Sequence, residues 1–375
     1  MSNPNQAKRR SKALTHSRLT AILCILLTTS IMMALVGCKS RVDAERATEA
    51  PTTEAETQAP TEPPFDVLHF ETPKIPDDGT TEGGYSSVDP GVYLYNGSAL
   101  ELCGASDSAA EDYAGAISEF KKSVPDLTVY NIVVPTHTEF ALPQRVIDGG
   151  VYSASQSQNI KTVYSSYTED VKPINIYNAL CDHIGEYLYF NTDHHWTGLG
   201  AYYAYTAFCE QTDQEALKLS DCEEHTIEGF EGSFYSTGNL TADTVHYWTF
   251  PYETHAMITP EMGNDPYETS VYMEGIEAGP NCYLTFIGGD SANFIAYNDT
   301  KTDNKKIMVV KESYGNAFIP YLTYNYKEVH VVDSRYFTGS LKSYVQENGI
   351  SEILFINNTM SSNNPFMVDG IRGIF

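Results

Sequence analysis

Along residues 106–125, "SDSAAEDYAGAISEFKKSVP", the apolar positions Tyr113, Ile117 and Phe120 fall three and four apart. That spacing lines one face of a helix, with Ser106 or Asp107 standing where a cap belongs. The pattern then changes. "LTVYNIVVP" (127–135) is a short, β-branched, mostly apolar run, which predicts a buried strand. A helix around Gln156–Tyr167 follows, then a strand at "VKPINIY", a short helix near Asn178–Ile184 and a strand at "EYLYFN" (186–191). Thr197 is placed to cap a helix through "GLGAYYAYTAFCEQ". Helices alternating with apolar strands predict an α/β fold with a parallel sheet.

Two regions depart from this rhythm. Residues 65–105 read as an extended lead-in with turns such as "DDGTTEGG". Residues 213–300 hold short β-rich pieces, "GSFYS", "VHYWTF", "SVYM" and "CYLTFIGG", which predict an antiparallel insertion or subdomain. From 305 onward strict alternation returns: strand "KKIMVV", helix at "YGNAFIPYL", strand "EVHVVD", helix at "SLKSYVQEN", strand "SEILFIN". Buried strands with short connections make this a βαβαβ unit.

The first 64 residues have another character. Lys8, Arg9, Arg10, Lys12 and Arg18 precede an uncharged apolar run from Leu19 to Gly37, the pattern of an export signal over residues 1–37. An uncleaved anchor is the competing reading, since the run is about long enough to span a bilayer at ~1.5 Å rise per residue. It ends in "LVGC", similar to a bacterial lipobox in which Cys38 is lipidated. The expected location is the extracellular face of the bacterial cytoplasmic membrane, with the body held by a lipid anchor. Residues 38–64, rich in Thr, Glu, Ala and Pro, bury too little apolar surface to fold and predict a disordered spacer. Residues 65–375 then form the folded domain.

Charge narrows the partners. Without residues 1–37 the chain has 18 basic against 49 acidic residues, a formal charge of −31. Nucleic acid needs a basic footprint and is excluded, whereas a neutral or cationic envelope component is compatible. Five cysteines remain beyond Cys38: Cys103, Cys181, Cys209, Cys222 and Cys282. None has the CxxC spacing of a zinc site, and Cys209–Cys222 is the expected disulfide if one forms.

In an open α/β sheet the carboxyl ends of the strands carry the site. After "KKIMVVKE" comes Ser313, on a strand-to-helix turn. After "EYLYFN" come Asp193, His194 and His195. After "SEILFI" come Asn357 and Asn358. A serine hydroxyl needs a base to become a nucleophile, and a histidine base needs a partner on its other nitrogen. Ser313 and Asp193 also have structural readings, as a helix cap and a turn residue. Two other arrangements compete. Asp193, His194 and His195 are candidate metal ligands, with His137 and His330 free to join. Adjacent histidines on an extended segment point to opposite sides, however, which disfavours a shared ion. "GGDS" (288–291) offers Ser291 as an alternative nucleophile, but no amphipathic helix follows it, so a glycine-rich turn is the better reading.

"DHHWT" after a strand, followed by "VVKESYGNAFIPYLTYNYKEVHVVDSRYF", resembles the DHHW-type proteins of bacterial envelopes, which are similar to the SGNH-hydrolase-like domains of alginate O-acetyltransferases. The resemblance covers roughly residues 90–375. It implies an SGNH-like, flavodoxin-like parallel sheet with helices on both faces, and a serine-dependent O-acyltransferase or esterase. On matching positions Asp193 and His195 are the Asp-x-His pair, Ser313 the nucleophile, and Asn357 or Asn358 the oxyanion asparagine. No counterpart of the oxyanion glycine is evident, Gly315 near the serine included. No cofactor and no metal is implied. The expected substrate is an envelope polysaccharide or acylated sugar, with a membrane acyl-donor protein as partner. A non-catalytic carbohydrate-binding or assembly lipoprotein on the same fold is the rival class, for which 27 tyrosines offer stacking surface.

Overall fold

The structure, a computed structural model, describes residues 65–375. The signal-like segment, Cys38 and the whole spacer lie outside the described residues. In chain order, β1 (Gly84–Tyr85), β2 (Val92–Tyr95) and β3 (Ser98–Glu101) form an antiparallel meander. Next come β4 (Thr128–Val134) and β5 (Val171–Pro173). A separate hairpin joins β6 (Glu223–Phe230) and β7 (Asp243–Thr249). The remaining strands are β8 (Thr254–Thr259), β9 (Tyr267–Thr269), β10 (Asn293–Asn298), β11 (Lys306–Lys311), β12 (Glu328–Asp333) and β13 (Glu352–Asn358). The central sheet runs β5-β4-β13-β11-β12-β10-β8-β9. Its first five strands are parallel and its last three antiparallel. All five parallel strands therefore end on one edge, where the candidate chemistry lies.

The helices are α1 (Asp107–Ser123), α2 (His137–Ala141), α3 (Gln144–Asp148), α4 (Gln156–Ser165) and α5 (Tyr177–Asp182), followed by α6 (Gly198–Gln211), α7 (Gly315–Leu322), α8 (Leu341–Glu347), α9 (Thr359–Ser362) and α10 (Pro365–Gly373). Ser106 caps α1 through the Ala109 N–H, and Thr197 caps α6 through the Gly200 N–H, as the pattern predicts. The apolar stripe of α1 lands on one sheet face, where Phe120 meets Phe355 edge-on at 5.4 Å. Each such phenylalanine stabilises by about 1.5–3 kcal/mol through burial. On the other face Phe208 of α6 meets Tyr130 at 5.5 Å and Phe318 of α7 at 6.1 Å. Asn131, next to Tyr130, is in register with Phe355, so the alternation of side chains along a strand sends α1 and α6 to opposite faces.

Three expectations need correction. "EYLYFN" is no sheet strand: only Tyr189 makes a bridge, antiparallel to Trp196. Leu188, Tyr189 and Phe190 are buried as their pattern suggests. Their backbone bonds, however, are local or go to neighbouring loops: Phe190 N–H to His195 O, Thr197 N–H to Leu188 O, and Asn191 O from Ala99 N–H. The 213–300 stretch is antiparallel, but β8, β9 and β10 extend the central sheet, and only β6–β7 stands apart. Cys209 and Cys222 are not bonded, and all five described cysteines are free. Buried Cys209 faces Asn325, whereas the Cys222 sulfur turns back to the Lys218 carbonyl.

Candidate active site

The sheet edge brings Asp193, His195 and Ser313 together. His195 Nδ1 and Asp193 Oδ1 are 2.5 Å apart, and His195 Nε2 lies 2.7 Å from Ser313 Oγ. Ser313 leaves β11 at its carboxyl end, where a one-turn bend leads into α7. Asp193 and His195 arrive from a tight turn opposite, closed by the His195 N–H on Asp193 Oδ1 at 3.0 Å. The second Asp193 oxygen accepts the Ser233 N–H at 2.8 Å, which fixes the carboxylate plane. Burial by itself would raise the Asp193 carboxyl; the His195 charge and hydrogen bond, His194 and the Ser233 N–H outweigh it and hold Asp193 well below the usual carboxylate range. Asp193 is therefore an anion that orients the imidazole. Gly232 lets the chain pass this close, since a Cβ there would meet Asp193 Cβ at 2.3 Å and Thr192 O at 2.5 Å.

The profile of the DHHW protein family matches residues 71–332. The chain belongs to the DHHW family. A DHHW family protein from Eubacterium siraeum DSM 15702 has a similar structure, with TM-score 0.69 and 30% identity over 78% of this chain and 97% of that one. Bacillus cereus PatB1 matches at TM-score 0.58 and 18% identity, over 77% of this chain and 99% of its own. PatB1 with a sulfonyl adduct gives the same TM-score and identity over 75% and 95%. These likenesses show a shared SGNH-like α/β fold. No curated protein matches the chain significantly.

In this DHHW protein the four motif residues have separable jobs. Asp193 and His195 form the pair just described. His194 points elsewhere, its Nδ1 2.8 Å from Ser233 Oγ. Burial first, then the neighbouring His195 charge, pushes its pKa down to about 4, so His194 is neutral above that pH. Trp196 is fully buried and donates its indole N–H to Tyr314 O at 2.8 Å, while the Tyr314 phenol donates to His194 O. The two turns thus hold each other from both sides. Tyr283 adds a third tie: its ring stacks on His195 at 4.0 Å and its hydroxyl donates to Ser313 O at 3.0 Å.

Asp193, His194 and His195 do place donor atoms within 4.8 Å of one another. A shared ion would have to displace the Asp193–His195 and His194–Ser233 hydrogen bonds, so the donors are arranged for each other. His330 is remote from them, held between Glu328 and Tyr344. His137 stacks on Tyr189 at 5.2 Å and also stays outside the cluster. Ser291 is buried after a turn in which Gly288 and Gly289 take φ of +75° and +86°, and a strand follows it. The neighbouring Asp290 instead pairs with Lys311 and Arg335.

The two asparagines differ. Asn358 caps α9 through the Ser361 N–H, and its own N–H is held by Glu312. Asn357 accepts from the Tyr113 hydroxyl through Oδ1 at 2.8 Å, which leaves its NH₂ group as the donor not used in that contact. Several site residues escaped sequence reasoning. Glu312 stands beside Ser313 in the chain, and that adjacency is its one local signal. Tyr283, on a short 3₁₀ turn (Cys282–Thr285), and Ser233, on a loop, come from the middle stretch, and nothing local marks them. Asp243 is missed for the same reason, although its carboxylate accepts from Tyr187, Asn191 and Thr192 and so shapes the approach to the motif.

Proposed function

We propose that this protein is a serine-dependent O-acyltransferase or esterase of the cell envelope, anchored by lipid at Cys38 and acting on acyl esters of a polysaccharide. The carrying observation is the unbroken hydrogen-bond chain Asp193–His195–Ser313. In this reading Ser313 Oγ attacks the ester carbonyl carbon as His195 Nε2 takes its proton. His195 then returns that proton to the departing alcohol oxygen, and Asp193 holds the imidazolium. The Ser313 N–H and the Asn357 side-chain amide are the donors assigned to the oxyanion. Attack by water on the acyl-serine gives hydrolysis; attack by a sugar hydroxyl gives transfer.

A cleft of about 680 Å³ lies between residues 70–77 and α2–α4, and neither it nor a second of 440 Å³ is lined by Asp193, His195 or Ser313. Ser313 is half-buried beside the buried Asp193 and His195. The acidic chain favours a neutral or cationic polymer over an anionic one. The membrane acyl-donor partner belongs to the same proposal, as the source of the acyl group.

The test exposes the purified protein to a chromogenic acetyl ester and to an aromatic sulfonyl fluoride. The expected results are turnover, one sulfonyl adduct on Ser313 by peptide mass, and loss of both in Ser313→Ala. Added polysaccharide acceptors then separate transfer from hydrolysis. Absence of turnover and adduct, with polysaccharide binding unchanged by Ser313→Ala and His195→Ala, would sink the catalytic reading in favour of a binding lipoprotein.

A further inference from the structure

Glu312 is buried directly against the serine and has no part in the Asp–His–Ser chain. Its Oε2 lies 3.3 Å from Ser313 Oγ and accepts the Tyr314 N–H at 3.1 Å, while Oε1 accepts the Asn358 N–H at 3.0 Å. Only 3% of the residue is exposed. This carboxyl therefore ties the end of β11 to the end of β13 and also touches the reacting oxygen.

Counting hydrogens decides its state. His195 donates from Nδ1 to Asp193, so in the neutral imidazole Nε2 is the acceptor. In that tautomer Nε2, 2.7 Å from Ser313 Oγ, is the acceptor for the single hydroxyl hydrogen of Ser313. That hydrogen is then not available to Glu312. A bare carboxylate oxygen against the Ser313 lone pairs would be repulsive in a buried site. The contact is a hydrogen bond only with a hydrogen on Glu312 Oε2, which can still accept from Tyr314 through its remaining lone pair.

We propose that Glu312 is held as a neutral carboxylic acid and donates its hydrogen to Ser313 Oγ, as a fourth catalytic residue. The inference rests on the serine-nucleophile reading above. The chain of donors then runs one way, from Glu312 to Ser313 to His195. During acylation the Oγ–C bond forms, the ester C–O bond breaks, and the serine proton passes through His195 to the leaving alcohol. In the second half the acceptor oxygen bonds to the acyl carbon as its proton passes to His195, the Oγ–C bond breaks, and His195 returns the proton to Oγ. Glu312 keeps its own hydrogen throughout. It stabilises the negative charge that develops on Oγ when the serine is the leaving group.

The surroundings agree in direction. Burial pushes the Glu312 carboxyl up, against the N–H donors of Asn358 and Tyr314 and the charges of His195 and Arg335. The other titratable groups facing this region are Asp193 on the motif turn, Asp290 before β10, and Tyr113, Tyr283 and Tyr314. The tyrosines are raised by burial and stay neutral, and the two aspartates are held ionised.

The test needs no substrate at first. Protein labelled with ¹³C at the glutamate carboxyl should show, at neutral pH, the infrared carbonyl band of a protonated acid, absent from Glu312→Gln and from the shorter Glu312→Asp. A wild-type spectrum without that band overturns the proposal, whether or not the variants fold. The second measurement is the rate at which acetyl-Ser313, formed with a chromogenic acetyl ester, is hydrolysed, followed against pH, because in that step the serine is the leaving group. Wild type should lose rate on the alkaline side as Glu312 ionises. Glu312→Gln should react more slowly, on the order of 100-fold, and lack that alkaline limb. A Glu312→Gln profile equal to wild type in rate and shape overturns the catalytic role. If Ser313 reacts with no acylating agent, the nucleophile reading fails, while the infrared band still reports on Glu312 separately.

Discussion

The indole N–H of Trp196 meets the carbonyl oxygen of Tyr314 at 2.8 Å, and through that contact the motif turn is locked to the residue after the serine. Trp196 is fully buried between Tyr314 and Phe318. Trp196→Phe removes the donor, leaves the Tyr314 carbonyl short of a partner and opens a cavity. The expected cost is about 2–4 kcal/mol of unfolding free energy, measured in urea. Ser313 sulfonylation should slow as well, because the two turns no longer hold their spacing. Wild-type stability in this variant would mean that the tie is dispensable.

Tyr283 touches both His195 and the Ser313 backbone, so its two contacts can be separated. Tyr283→Phe keeps the stack on His195 and loses the hydrogen bond to Ser313 O. Stability should fall by only about 0.5–1.5 kcal/mol. The acylation rate should fall by roughly tenfold, since small displacements of a reacting atom are costly. Tyr283→Ala should slow the reaction further. Equal rates in the two variants would show that the stack contributes nothing.

Asp243 organises the approach to the motif from a strand 50 residues downstream of Asp193 (243 − 193). One oxygen accepts from the Tyr187 hydroxyl at 2.5 Å and from the Asn191 N–H at 3.1 Å; the other accepts from the Thr192 N–H at 2.7 Å and hydroxyl at 2.6 Å. Asp243→Ala leaves these donors buried and should cost at least about 3 kcal/mol. Asp243→Asn should also be destabilising, because an amide NH₂ replaces one acceptor among donors. Thermal unfolding of the two variants checks this. An asparagine variant as stable as wild type would contradict the arrangement.

His137 makes a pH prediction with a definite sign. Its Nδ1 is buried without a hydrogen-bond partner among the described residues. Burial pushes its pKa from 6.5 down to about 4, opposed by Asp243. As pH falls through 6.5 the unfolded chain takes up a proton that the folded protein refuses, so stability declines between 6.5 and 4 and levels off below. The share from this residue is at most about 3 kcal/mol. His137→Phe keeps a ring against Tyr189 and should flatten the slope in that window. The part left over includes His194, also pushed down to about 4, and His330, lowered by burial, both with the same sign, whereas Glu312, raised by burial, works in the opposite direction. An unchanged slope in the variant would be the contrary result.

Local pattern was enough for much of this protein. The stripe of Tyr113, Ile117 and Phe120, the caps at Ser106 and Thr197, and the buried runs of β4, β11, β12 and β13 follow from side-chain period and from the orphan backbone groups at helix ends. Those constraints act within a few residues, so they can be read directly. Asp193, His195 and Ser313 were legible as candidates because reactive residue types followed predicted strands. "EYLYFN" departs from its strand pattern for a physical reason: burial of its side chains looks the same whether its backbone pairs in a sheet or with neighbouring loops. The disulfide failed likewise, since proximity in sequence says nothing of where two sulfurs point.

Only the tertiary structure decided which candidates meet. Ser313 faces His195 across 118 positions because β11 and the motif turn converge on one sheet edge. Glu312, Tyr283 and Asp243 joined the site through burial and long-range hydrogen bonds that no periodicity encodes. Secondary structure is set largely by near neighbours; a site is set by how the elements pack, and packing depends on all of them at once.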